Sequence, residues 1–148
     1  MLSAETRSLY FGDLTVRYTR QKQWITGVSF FLSSGAAAAV IGKLPSIVPA
    51  ALSVIVAIAT AYSMAVNLDG RVKTMAKLHS LWNEIASDYD TLWNHAYNED
   101  SEAQFSDIIG REREASELST TDAPNDQKLL AKWEDRVLEL HALKVQSA

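Results

Sequence analysis

The chain of 148 residues contains no cysteine, which excludes disulfides, thiolate nucleophiles and cysteine-based metal sites. Its six glycines are scattered, so it has no Gly-rich phosphate loop, no Walker lysine and no Gly-x-Ser-x-Gly elbow. The three histidines, His79, His95 and His141, lie too far apart in sequence to form the paired-histidine spacing of a helical metal site. Asp88 and Asp90 are two residues apart and point in different directions on a helix. Neither an enzyme nor a cofactor-dependent protein is expected from this inventory. Strand-like alternation and internal repeats are also missing.

A further absence is more telling. Averages of 47% hydrophobic and 22% charged residues suit an ordinary soluble domain, but charge is nearly missing from the middle of the chain. Residues 24–68 carry one charged side chain, Lys43. Residues 1–23 have a net charge of +2 and residues 69–148 a net charge of −7. An acidic C-terminal half makes a broad basic nucleic-acid-binding surface a poor reading.

The uncharged block splits into residues 24–42 and 44–66, either side of Lys43. Helices of 19 and 23 residues rise about 1.5 Å per residue, and each can cross a hydrocarbon core of roughly 30 Å. Pro45 and Pro49 with Lys43 favour a tight turn between them. The expected fold is therefore an all-α membrane protein. A two-helix transmembrane hairpin follows an N-terminal amphipathic helix and precedes a C-terminal cytoplasmic helical bundle. The expected divisions are residues 1–23, 24–68 (spans about 24–42 and 46–67) and 69–148. A buried soluble hairpin is disfavoured because the flanks are too polar to wrap two helices this apolar. A cleaved signal peptide is disfavoured by the 23 residues ahead of the apolar run and the second apolar segment behind it. The lack of a charged face excludes an amphipathic surface helix over the block.

Basic residues set the orientation. Arg17, Arg20 and Lys22 precede the first span, and Arg71, Lys73 and Lys77 follow the second. This places both termini in the cytoplasm of a multi-pass protein. Residues 4–22 read as an amphipathic helix with Leu9, Tyr10, Leu14 and Val16 on its apolar side. Two roles stay open for it: a basic anchor on anionic lipid, or a specific contact.

Beyond the second span, Met75, Leu78, Trp82, Ile85, Tyr89, Leu92 and Ala96 recur at alternating spacings of three and four. That is a heptad stripe in need of a partner helix, in the same chain or in another subunit. The helix is expected to continue from the second span without a break. A capping-box spacing at Ser101–Gln104 opens a helix to residue 118. A polar loop over 119–127 follows, then a helix over 128–144 with Leu129, Leu130, Trp133, Val137, Leu140 and Leu143. The expected oligomerisation residues are Leu78, Trp82, Ile85, Tyr89 and Leu92.

The second span carries Ser46, Ser53, Thr60, Ser63 or its neighbour Met64, and Asn67, interleaved with Ala50 and Ala57. Hydroxyls at near-helical spacing line a water-filled path when several subunits meet; small residues equally let two helices pack closely. Both readings stand, with these five polar residues as the candidate pore lining. The first span has Gly35 with Ala39 and Ala38 with Gly42, both small-xxx-small packing pairs. Neither span holds an ionisable residue, which argues against a proton-coupled transporter.

The leader Tyr10–Lys22, the apolar hairpin and the exit helix Asn67–Trp82 together resemble the SLATT family, over about residues 7–98. These are two-transmembrane effectors found beside nucleotide-signalling genes in bacterial anti-phage systems. The resemblance implies a homo-oligomer, a tetramer as the first expectation, that perforates the bacterial inner membrane and depolarises it. The implied partners are the lipid bilayer, further copies of the chain, and a nucleotidyltransferase-type signalling protein or its nucleotide or oligonucleotide product. It transfers no ligand-binding residues. A holin-like lysis protein is a competing expectation, disfavoured by the long acidic tail. A non-conducting membrane anchor for a partner protein is another.

Overall fold

The computed structural model describes residues 1–33, 42, 47–95 and 100–147. They form five helices: α1 (Leu2–Ser33), α2 (Ile47–Ala65), α3 (Leu68–Asn94), α4 (Ser101–Asp122) and α5 (Gln127–Ser147). The described residues contain no strand, so the fold is all-α. Most of the expected hairpin turn, Ser46 included, lies outside the described residues, as do Ala96 and the paired small residues of the first span save Gly42.

The chain divides into two compact units. One contains Met1–Thr15 and Lys73–Ala148; the other contains Val16–Val72. The divisions fall within α1 and α3, whereas the sequence suggested 23/24 and 68/69. The N-terminal segment divides between the two units, residues 1–15 in the first and 16–23 in the second. Its apolar side chains Ala4, Tyr10, Phe11 and Leu14 are buried and belong to the same unit as α4 and α5.

In that bundle unit, four helical segments share one core. It takes Met75, Leu78, Trp82 and Ile85 from α3, Ile108 and Ala115 from α4, and Leu129 and Val137 from α5. The α3 residues are spaced three, four and three, so they fall on one face of the helix. Polar links sit at the edge of this core. Trp82 Nε1 donates to Ser119 Oγ at 3.3 Å, and Trp133 Nε1 donates to Asp13 Oδ2 at 3.3 Å. Arg111 pairs with Asp88 at 2.6 Å and Asp107 at 3.0 Å, and Tyr89 donates to Glu112 at 2.8 Å.

The expected loop over 119–127 is shorter: residues 119–122 continue α4, 123–126 form the connection, and Gln127 opens α5. Ser119, Thr120 and Thr121 turn their hydroxyls back onto the carbonyls of Ala115, Ser116 and Glu117. That satisfies the side chains without leaving the helix. The stop comes at Ala123, extended at φ −94° and ψ 143°, because the residue before a proline is pushed out of the helical region. Asp126 then caps α5, its Oδ1 accepting the Leu129 N–H at 3.0 Å. Tyr10 fixes this connection from α1: its hydroxyl donates to the Pro124 carbonyl at 2.5 Å and accepts the Asp126 N–H at 3.2 Å. At the other end of α4 the expected capping box is not formed. Asp100 occupies the cap position, without a side-chain cap bond, and Ser101 is already helical.

Candidate functional site

The second unit is built from the distal half of α1, α2 and the first residues of α3. Each of the first two has one half-covered stripe. On α2 it comprises Val48, Leu52, Val56, Ala59 and Ser63; on α1 it comprises Tyr18, Ile25, Ser29 and Leu32. The remaining apolar side chains stay exposed: Trp24, Val28, Phe30 and Phe31 on α1, and Ile47, Val54, Ile55, Ile58, Tyr62 and Met64 on α2. Trp24, Phe30, Ile47 and Met64 are 74–77% exposed. Leaving this much large apolar surface uncovered is costly in water. Among the described residues no single helix is long and apolar enough to cross a membrane, whereas Ala50–Ala65 with Leu68–Asn94, bent by 43°, pass that test together.

The five candidate lining residues separate in the structure. Ser53 and Thr60 are exposed on one face of α2, seven residues and nearly two full turns apart. Ser63 falls on the half-covered stripe instead, and the neighbouring exposed position is Met64. Asn67 holds a turn, and Ser46 lies outside the described residues.

That turn corrects the expected continuous helix from the second span into the cytoplasm. α2 ends at Ala65 and α3 starts at Leu68. Between them Asn67 is left-handed, at φ 47°, a conformation that asparagine accepts more readily than most residues. Its Oδ1 accepts the Gly70 N–H at 3.2 Å and its carbonyl accepts the Arg71 N–H at 3.0 Å, so one residue ends α2 and caps α3. Gly70 leaves room for that side chain, since a Cβ there would come within 2.8 Å of Asn67 Cγ. Arg71 Nε donates to the Val66 carbonyl at 3.2 Å, satisfying an end group of α2 and placing positive charge at its negative pole. The same guanidinium lies 5.9 Å from the Tyr18 ring centroid, and Lys22 pairs with Asp69. Basic residues read in the sequence only as an orientation signal thus also tie α1 and α3 to the turn.

The predicted oligomerisation stripe divides too. Leu78, Trp82 and Ile85 are 0–1% exposed within the single chain, so its own helices cover them. Tyr89 and Leu92 are half-buried, and Trp93 beside them is exposed. The histidines have separate partners. His79 Nδ1 meets the Ser8 carbonyl at 2.8 Å, His95 Nδ1 the Thr91 carbonyl at 2.9 Å and His141 Nε2 the Glu5 carboxylate at 2.7 Å. Gly12 allows His79 its close approach, a Cβ there falling 3.2 Å from Nδ1. No three metal-ligating side chains converge among the described residues.

Burial and hydrogen bonding push the Tyr89 phenol up to about 12, burial first and the Glu112 carboxylate second. Arg111 is held more firmly protonated by its hydrogen bond to Asp88. Both effects fix charge at the junction of α3 and α4 and create no acid or base working near neutral pH. The periodicity of residues 75–92 could have identified Trp82 and Ile85 as core; no local signal separates a stripe covered within the chain from one covered by a neighbour. Comparison with protein-family models, curated proteins and solved structures gives no match.

Proposed function

We propose that the chain is a pore-forming, ion-channel-like effector of a bacterial inner membrane. It lies with both termini cytoplasmic and assembles as a homo-oligomer. The observation that carries this reading is the apolar unit, which leaves its largest side chains uncovered on both α1 and α2. A lipid bilayer accepts that surface at no desolvation cost. Ser53 and Thr60 supply hydroxyls on an exposed face of α2, where a ring of copies would border a wet path. The layout shared with SLATT proteins supports a role in anti-phage defence, in which the bundle gates conduction in response to a nucleotide, nucleic acid or protein signal. Conduction is tested by reconstituting the purified chain in planar bilayers and attaching thiol reagents to single cysteines at Ser53 and Thr60. The cysteine-free sequence suits this. Discrete currents blocked by modification at these positions, and not at Ile58, are expected. A silent bilayer across voltages and lipid compositions refutes conduction.

A second reading, a membrane anchor that recruits a partner through the bundle, is favoured by one feature: the bundle core closes within a single chain. It predicts that replacing residues 16–72 with an unrelated hairpin preserves activity in cells, whereas the pore reading predicts its loss.

A further inference from the structure

Arg7 sits on α1 within the bundle unit and is half-buried. Its guanidinium lies over the Trp82 ring, 4.5 Å from the centroid, and Nη1 donates to Ser116 Oγ at 3.0 Å. Among the described residues no carboxylate pairs with it; the ion pairs of this unit join Arg111 to Asp88 and Asp107, Arg136 to Glu139 and His141 to Glu5. A guanidinium has five N–H donors in a rigid fork, and a neutral hydroxyl and an aromatic face leave most of that fork uncommitted.

Arg7 borders a cavity of about 380 Å³, within the range of small-molecule sites. Tyr10, Phe11, Pro124 and Leu130 supply its apolar lining. Ser116, Thr120 and Asn125 supply polar groups, and the Tyr10 hydroxyl holds the α4–α5 connection that carries three of the lining residues, Ala123, Pro124 and Asn125. The cation is therefore fixed in place before any ligand arrives, by Trp82 beneath it and Ser116 beside it. Such preorganisation favours binding. Arg7 also borders a second cavity, with Glu134 in its lining. That carboxylate disfavours a polyanion and leaves a ligand with one anionic group as the better fit.

We propose that this cavity binds a small molecule carrying a single oxyanion, a phosphate monoester or a carboxylate, on an apolar or aromatic body. The oxyanion meets the Arg7 fork and the Ser116 hydroxyl, and the body lies against Tyr10, Phe11, Pro124 and Leu130. The inference rests on the bundle unit alone and is independent of the membrane reading. Because the cavity joins α1, α4 and the α4–α5 connection, occupancy ties the first turns of α1 to the rest of the bundle.

The test is titration calorimetry of the full-length chain with phenyl phosphate, benzoate and inorganic phosphate, repeated on Arg7→Met and Thr120→Phe. Saturable binding of phenyl phosphate or benzoate is expected, the tighter one identifying the oxyanion. Inorganic phosphate should bind about tenfold more weakly, for want of an apolar body. Arg7→Met should weaken binding by about tenfold or more, the loss of hydrogen bonds to a charged group. Thr120→Phe fills the cavity from an exposed position while keeping Arg7 on Trp82, so it decides the matter if Arg7→Met fails to fold. No heat with either aromatic ligand overturns the proposal. So does wild-type affinity in a folded Arg7→Met variant, or in Thr120→Phe. Equal affinity for inorganic and phenyl phosphate overturns the assignment of the apolar wall.

Discussion

Helix α3 and helix α2 are neighbours in sequence, both contain regularly spaced apolar residues, and they treat them in opposite ways. From Met75 to Ile85, α3 hides every large apolar residue of its stripe beneath the chain's own helices. α2 leaves Val54, Ile55, Ile58 and Met64 58–77% exposed. Polar composition explains the contrast. α3 interleaves its stripe with Lys73, Lys77, Asn83 and Glu84, so one face suits water and the other a protein core. α2 has no charged residue and hence no face that suits water. A helix apolar all round is completed by surroundings that are apolar all round, whether lipid or further copies of itself.

The contrast can be broken most severely on the α3 side. Ile85→Asp places a carboxylate in a core position that is 1% exposed. A loss of more than about 3 kcal/mol is expected from burying an unpaired charge beside a lost apolar side chain. Circular dichroism melting should show the bundle unfolding, and the loss should appear at every protein concentration, because the stripe is covered within one chain. A variant that changes only oligomeric state would instead place Ile85 between subunits.

On the α2 side the sign of a polar substitution discriminates directly. Ile55→Lys at a lipid-facing position costs about 2.5–3.5 kcal/mol of insertion and should shift the protein out of the membrane fraction. At a water-facing position the same change would improve solubility with little effect on fold. The boundary between the two regions is a smaller target. Asn67→Ala removes both the cap and a residue tolerant of φ 47°, for an expected loss of about 1–2 kcal/mol. Asn67→Gly retains the backbone freedom and should lose less, a difference readable in thermal melts.

The smallest effect is a pH dependence confined to the bundle. Tyr89 is raised to about 12 in the folded chain from an ordinary value of 10.0. Between these values the unfolded chain releases its proton first, so the contribution of Tyr89 is complete below pH 10 and is lost as pH rises toward 12. Denaturant titrations of wild type and Tyr89→Phe across that window should show a steeper fall for wild type; parallel curves would refute the assignment.

Much of this contrast was legible in the sequence, and the parts that were not have definite physical reasons. The all-helical fold and the uncharged block follow from composition and 3.6-residue periodicity. The heptad stripe was legible as a buried face, but the identity of its cover was not, since α1, α4 and α5 reach it only through tertiary packing. The break at Asn67 was hidden because an asparagine between Val66 and Leu68 reads equally as a helical position; its left-handed backbone and the missing Cβ at Gly70 make it a turn. Ser119–Thr121 looked like loop because serine and threonine favour loops in isolation, yet their hydroxyls bond back within α4. Spacing alone does not choose between Ser63 and Met64 as the neighbour of Ser53 and Thr60; in the structure Ser63 lies on the half-covered stripe and Met64 is exposed. Arg7 is not legible in the sequence, because one arginine in an amphipathic segment carries no local signal; only the fold sets it on Trp82 beside a cavity.

The central claim, that the exposed apolar surface of α1 and α2 faces lipid, is tested most directly by spin labels on single cysteines in liposome-reconstituted protein. Labels at Ile55 and Ile58 on α2, and at Phe30 on α1, are compared with one at Glu84 on the bundle. Relaxation by apolar oxygen and by a water-soluble nickel chelate reports which medium each label meets. The account predicts strong oxygen and weak chelate relaxation at Ile55, Ile58 and Phe30, and the reverse at Glu84. Strong chelate relaxation at Ile55, Ile58 and Phe30, matching that at Glu84, would contradict it.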